Sequence, residues 1–110
     1  MLPIMRIPDN AIIPESKLTE YLLVYRRKSD KSQFLVQAGF TQDDPNELAL
    51  AIRDLIAENE AVIDRHNEYG TFYRVEGDLH GPSGVLAVIT VWIRRAIDDE
   101  YWFVTLKPMR

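Results

Sequence analysis

A small set of polar side chains spread along the sequence could cleave RNA without a metal ion. Such a reaction needs a general base, a general acid and a cation that stabilises the negative charge developing on the phosphate. The chain can supply these groups from His80, Lys31, Arg74, Thr90 and Thr105. Their spacing does not select this chemistry, because threonine is a common strand residue and charged side chains suit solvent-facing positions.

The sequence offers little for metal, cofactor or nucleophile chemistry. His66 and His80 are its only histidines, it has no cysteine, and no carboxylate pair stands at a recognised ligand spacing. A zinc site uses three or four ligands. Ser83 lies in a glycine-rich turn, not in the strand–turn–helix elbow of hydrolases. We therefore predict no metal site and no cofactor.

The composition is that of one folded domain. The chain has 110 residues, of which 46% are hydrophobic and 27% charged, enough for a single core. The absence of cysteine fits a reducing compartment, and no apolar run approaches the roughly 18 residues of a membrane helix. We expect a single cytoplasmic domain over residues 1–110 that does not associate with a membrane.

The net charge of −4 is unevenly distributed. The basic excess lies in Arg26-Arg27-Lys28, with Lys31 close behind. A basic footprint over the whole domain, which is typical of nucleic-acid binding, is absent. This local basic run either contacts nucleic acid or forms a solvated turn between two helices, and both interpretations stay open.

The first half of the chain predicts an extended arm and then a helix. Residues 1–13 hold Pro3 and Pro8 among several isoleucines, which favours an extended segment packed on the domain. A first helix is expected to begin at Pro14, since proline is favoured at the first helical position.

Two more helices follow. The second is predicted to begin at Asp30 and to stop at Gly39, which can take the left-handed conformation. The third is predicted to begin after Asp44, where an N-cap and a returning glutamate form a capping box, and to end near Asn59.

After residue 60 the hydrophobic period changes from helical to two. Strands are predicted over residues 61–66, 71–79, 85–94 and 101–106, with turns at 67–70 and 96–100 and a loop at 80–84. Helices followed by a meander indicate an α+β domain, in which three N-terminal helices pack on a four-stranded antiparallel sheet.

Three aromatic residues in a row, Tyr101-Trp102-Phe103, cannot all face the same side of a strand. Trp102 exposed beside Ile93 would form an apolar patch of the kind used in self-association. A partly covered second sheet face is the competing explanation.

Short motifs over nearly the whole chain follow a known pattern. They are Ile7-Pro8, Asn10-Ala11, residues 17–23, Lys31, Phe34, Gly39-Phe40, Tyr69-Gly70, Tyr73, Val75, Gly77, Leu79, Gly81, Gly84, Thr90-Val91-Trp92 and Val104-Thr105. This pattern resembles a family of small bacterial domains, domain of unknown function 6883. The family's usual alanine after the lysine is Ser32 here.

The resemblance extends, at the level of fold, to the sheet-based ribonuclease toxins of bacterial toxin–antitoxin systems. For a nuclease-like domain it implies these catalytic residues: Lys31, Tyr73, Thr90, Trp92 and Thr105. His66 and His80 do not fall on the pattern, which counts against a histidine-dependent mechanism. Fold alone does not determine function.

Three functions are compatible with these observations. The leading one is a protein-interaction module that forms a homo-oligomer or binds a partner protein. The second is a metal-independent ribonuclease toxin with RNA as its substrate, although a net charge of −4 disfavours binding to a polyanion. The third is a small-ligand binding domain with a closed apolar pocket in its aromatic sheet.

Overall fold

The computed structural model describes residues 4–18 and 31–109, apart from the side chains of Lys31 and Ser32. In chain order these residues form α1 (Glu15–Lys17), α2 (Lys31–Val36), α3 (Pro45–Glu58), β1 (Ala61–Asn67), β2 (Gly70–Gly81), β3 (Gly84–Arg95) and β4 (Tyr101–Pro108). The strands form one antiparallel sheet in the order β1-β2-β3-β4. The predicted α+β class and the antiparallel meander are confirmed.

The long helix α3 packs on the sheet. Apolar residues at helical spacing put one stripe of the helix into the core, and the stripe consists of Leu48, Ala51, Ile52, Leu55 and Ile56. The helix begins with Pro45 and is capped by Asn59 at its C-terminal end, as predicted. The predicted capping box is wrong, because the side chain of Asp44 makes no cap hydrogen bond. Asp44 instead lies in a turn, where its N–H donates to the carbonyl of Thr41 (3.2 Å), and its side chain is exposed.

The structure confirms some of the helix ends that the sequence predicts for the two shorter helices. Gly39 has φ of +93° and ends the turn after α2, while the N–H of Phe40 returns to the carbonyl of Leu35. This geometry confirms the predicted glycine stop. Pro14 is the N-cap of α1 and not its first residue, and α1 covers one turn. Two predicted features lie outside the described residues, namely the basic run Arg26-Arg27-Lys28 and the start of the second helix at Asp30.

The predicted loop at residues 80–84 is wrong. His80 and Gly81 belong to β2, and Gly81 pairs with Gly84 of β3, so only two residues form the turn. The turn after α2 packs against this hairpin, because the N–H of Ser83 donates to the carbonyl of Ala38 (2.9 Å). A Cβ on Gly81 would lie 2.2 Å from that carbonyl oxygen. Glycine therefore permits a close approach here and does not signal a loop.

Strand alternation gives the sheet two different faces. On the inner face, two rows of side chains cross the strands in register. One row runs Ile63, Tyr73, Trp92 and Phe103, and the next runs Ala61, Val75, Thr90 and Leu106. Most of these side chains join the buried residues of the helices in one apolar cluster. The core therefore lies between the helices and this face.

The N-terminal segment crosses from one edge of the sheet to the other. At the β1 edge, the N–H of Ala61 donates to the carbonyl of Met5 (2.7 Å). At the β4 edge, Ile12 bridges Trp102, and the N–H of Phe103 donates to the carbonyl of Ile12 (2.8 Å). Between these points Arg53 of α3 donates to two carbonyls of the segment. The segment therefore covers part of the β4 edge.

The hydroxyl group of Thr90 is a polar group inside the apolar core. It is fully buried, donates to the carbonyl of Val75 (3.0 Å) and accepts the indole N–H of Trp92 (2.9 Å). A buried donor left without an acceptor costs about 1–3 kcal/mol. The threonine thus allows a tryptophan to be placed in the centre of the core.

We expect Thr90→Val to lower the free energy of unfolding by about 1–3 kcal/mol, because valine keeps the shape but leaves the Trp92 N–H unpaired. Urea denaturation followed by tryptophan fluorescence measures this change. Thr41→Val, at an exposed position, is the matched control and should change little. Equal stability of the two variants would contradict the role given to the Thr90 hydroxyl.

Candidate interaction surface

The outer face of the sheet carries side chains that lie outside the apolar cluster. One row crosses all four strands in register, from Arg65 through Phe72 and Ile93 to Trp102. None of these residues belongs to the buried cluster that unites the helices with the inner face. This arrangement confirms that Trp102 lies beside Ile93, as the sequence predicts, but both residues are half-buried and not exposed.

A β-bulge brings Arg65 to this face. Ile63 pairs with Tyr73 and Arg65 pairs with Phe72, so Asp64 is an extra residue between them. Without the bulge, Arg65 would share the inner face with Ile63 because side chains alternate with period two. The inserted residue therefore places the arginine opposite Phe72.

Two arginines lie over the aromatic rings of the outer face. The guanidinium carbon of Arg65 is 4.4 Å from the centroid of Phe72, and that of Arg95 is 4.7 Å from the centroid of Trp102. Both distances are typical of cation–π contacts. Phe72 is only 8% exposed, although it lies outside the main core. We call Arg65, Phe72, Ile93, Arg95 and Trp102 the aromatic–arginine patch.

A carboxylate in the turn after β3 fixes the position of Arg95. The Nε of Arg95 donates to Asp98 Oδ1 (3.2 Å), and its Nη2 donates to Asp98 Oδ2. Asp98 Oδ1 also accepts the backbone N–H of Glu100 (3.0 Å). The hydrogen bond from Arg95 lowers the pKa of Asp98, with a further contribution from Glu100. The side chain of Arg95 is therefore held from one side by Asp98 and from the other by Trp102.

A hollow of about 520 Å³ adjoins the aromatic–arginine patch. Its lining shares Ile93 and Arg95 with the patch and adds Glu68, Tyr69, Ala96 and Ile97. Tyr69 is 69% exposed and Ile97 is 87% exposed, which is high for such large apolar side chains. Aromatic, arginine and isoleucine side chains together are typical of the centre of a protein interface.

The neighbouring row of the outer face carries a third arginine. It runs from Val62 through Arg74 and Val91 to Thr105. Arg74 lies 3.7 Å from Asp64 and 3.6 Å from Glu76, so its charge is compensated by two carboxylates. Its Nε makes no hydrogen bond to any residue that the structure describes.

The structure separates the residues predicted to be catalytic. Tyr73, Thr90 and Trp92 come together on the inner face, where all three are buried. Thr105 lies on the outer face, and Lys31 is the first residue of α2, with its side chain outside the described part of the chain. Of the other groups considered for RNA cleavage, Arg74 shares a row with Thr105, and His80 lies near the far end of β2. A catalytic role for the five residues remains a prediction.

Sequence reasoning missed Arg65, Phe72 and Arg95. Phe72 lies on β2, so its pairing with Ile93 follows once the register of the β2–β3 hairpin is known. Arg65 gives no such signal, because its face depends on the bulge at Asp64. The register of the sheet determines which of these residues share the outer face, and the sequence does not show the register directly.

In residues 4–18 and 31–109, no cluster of three or more histidine, aspartate or glutamate side chains is arranged to hold a metal ion. None of the helices described is both long enough and apolar enough to span a membrane.

The fold and this surface define a small α+β domain whose sheet has one helix-covered face and one face on which arginine side chains lie over aromatic rings. The chain belongs to the family described as domain of unknown function (DUF6883), whose family model matches residues 6–110. No curated protein matches the sequence.

The fold is shared with a solved structure. A chain of a contact-dependent growth inhibition toxin–immunity protein complex from Klebsiella pneumoniae 342 superposes with a TM-score of 0.65. The two chains are 15% identical, and the match covers 90% of this chain and 100% of that one. At this identity the likeness establishes a common fold.

We expect the pKa of Asp98 to lie below the usual value of about 3.9 and to rise in Arg95→Gln. A carboxyl with a lowered pKa in the folded state stabilises the fold above the unfolded pKa, and this contribution is lost as the pH falls through the folded pKa. Carbon NMR of the side-chain carboxyl groups measures the midpoint. Arg94→Gln is the control, because Arg94 pairs with Asp99 instead. An unchanged midpoint in Arg95→Gln would contradict the pairing.

Proposed function

We propose that this domain works by binding another protein through the aromatic–arginine patch. The observation that carries the proposal is the row from Arg65 to Trp102, which extends across all four strands outside the core. Large apolar side chains exposed at the adjoining hollow enlarge this surface. Exposed apolar patches of this kind mark sites of protein association.

The character of the hollow favours a protein over a small ligand. Small-molecule sites enclose most of the ligand's surface and are lined by buried apolar groups. Here Tyr69 and Ile97 are mostly exposed and stand at the rim. A side chain projecting from a partner protein would fill such a hollow while the rest of the partner covers the rim.

The structural neighbour supports a partner of a particular kind. That neighbour belongs to a complex of a toxin with an immunity protein. We propose that the present domain is likewise one member of a toxin–immunity pair and acts in the cytoplasm. A sheet face with both arginines and apolar side chains suits a specific partner, because the charges reject partners that do not complement them.

Self-association is the form of protein binding that can be tested with this chain alone. We expect the sedimentation coefficient of the wild type to rise with protein concentration, because two copies can bury Trp102 and Ile97 against each other. Trp102→Ala should remove this rise, whereas Lys107→Ala, on the same face opposite Ile89, should keep it. Circular dichroism verifies that both variants are folded. A rise that survives Trp102→Ala, or a monomer at every concentration, would contradict self-association through the patch.

A metal-independent ribonuclease toxin is the second candidate function. It is favoured by the row that brings Arg74 and Thr105 to the outer face, where a cation and a hydroxyl group could meet a phosphate. This candidate predicts growth arrest on expression and cleavage of total RNA in the presence of a chelator. Lys31→Ala, Arg74→Ala and Thr105→Ala should relieve both effects if the protein stays folded. Normal growth and intact RNA with the wild type would leave protein binding as the function.

A further inference from the structure

We infer that the partner of the aromatic–arginine patch presents an acidic residue beside an apolar side chain. The carboxylate pairs with Arg65, and the apolar side chain enters the hollow beside Ile93 and Ile97. This inference rests on the proposed protein-binding function and specifies the chemistry of the partner.

Arg65 provides the first reason. It lies over Phe72, but no carboxylate of the described residues lies within 4.0 Å of its guanidinium group. The other two arginines of the outer face each have at least one carboxylate partner. A guanidinium group oriented by a ring, with its N–H donors directed away from the ring face, can hold a carboxylate in two parallel hydrogen bonds.

Arg95 shows within this chain how such a carboxylate can be held. Its guanidinium group lies over Trp102 and at the same time donates to both oxygens of Asp98. A carboxylate from a partner can take the corresponding place beside Arg65, where the guanidinium group lies 4.4 Å from the centre of Phe72. Arg65 and Arg95 therefore both lie over an aromatic ring, but only Arg95 is paired with a carboxylate of the described residues.

The charges of the outer face are separated along the strands. The patch lies at the end near the β1–β2 turn and holds two arginines, while Asp78 lies towards the opposite end, paired with Ala87. Asp98 compensates the charge of Arg95, Asp64 and Glu76 contact Arg74, and Glu68 lines the hollow. Among the described residues, the uncompensated positive charge of the patch is therefore that of Arg65, which favours one acidic side chain next to it by complementarity.

Two observations favour a polypeptide over RNA. Single-stranded nucleic acids bind by stacking bases on free aromatic faces. Here the face of Phe72 is covered by Arg65, and the ring is almost fully buried. The net charge of −4 also repels a polyanion, whereas a short acidic segment of a protein needs only local positive charge.

Selection from a library of short random peptides on the full chain tests this inference. Peptides bound to the wild type are sequenced, and the best are measured by fluorescence polarisation against Arg65→Ala, Arg95→Ala, Trp102→Ala and Lys107→Ala. Lys107→Ala removes the same charge from the same face at another row, so it controls for net charge. A labelled RNA oligonucleotide of similar length is measured in parallel.

We expect the selected peptides to carry an aspartate or glutamate next to an apolar residue. Their binding should weaken about tenfold or more in Arg65→Ala and in Trp102→Ala, and should change little in Lys107→Ala. Peptides that need Trp102 but are not acidic would overturn the acidic partner while leaving the proposed function intact. Failure to obtain any peptide that depends on Trp102 would overturn both. Tight RNA binding lost in Arg65→Ala would replace the inference with the nuclease candidate.

Discussion

Strand pairing is the constraint on which the other features of this domain depend. In an antiparallel sheet the partner of each residue fixes the face on which its side chain lies, and a slip of one residue exchanges the two faces. The row Tyr73–Trp92–Phe103 supplies the core, and the row beginning at Arg65 supplies the outer surface. The same register therefore determines both stability and the candidate function.

Two β-bulges adjust this register at the edges of the sheet. The bulge at Asp64 turns Arg65 outward, opposite Phe72. In β4, Val91 pairs with Thr105 and Trp92 with Phe103, so Val104 is the extra residue. As a result Leu106 can join Phe103 in the core although the two residues are three positions apart. Bulges commonly reorient side chains at functional surfaces, and here both lie in edge strands.

The inner face must hold its large aromatic residues without unpaired polar groups. Trp92 packs edge-on against Phe103, with 5.3 Å between ring centroids, and its N–H is satisfied by Thr90. The chain contains no disulfide, so stability depends on this packing together with the apolar stripe of α3. On the outer face, by contrast, the indole N–H of Trp102 is buried and has no hydrogen-bond partner among the described residues.

Much of the fold follows from the sequence because hydrophobic period and turn chemistry are local. The proline at the start of the long helix, the glycine at position 39 and the alternation after residue 60 all predict elements that the structure contains. The loop prediction at residues 80–84 is wrong because Gly81 there serves a close contact with Ala38, which is a tertiary feature. The positions of Thr90 and Thr105 on opposite faces depend on the β4 bulge, which no local pattern reports.

The two tryptophans offer the most direct test that the outer face is the binding surface. Trp92 is buried on the inner face, while Trp102 lies on the outer face, and its indole N–H lacks a hydrogen-bond partner among the described residues. Proton–nitrogen NMR resolves the two indole N–H signals as the protein concentration is raised or a selected peptide is added. Our account predicts that the Trp102 signal shifts while the Trp92 signal stays in place. A bound state in which the Trp102 signal does not move would contradict it.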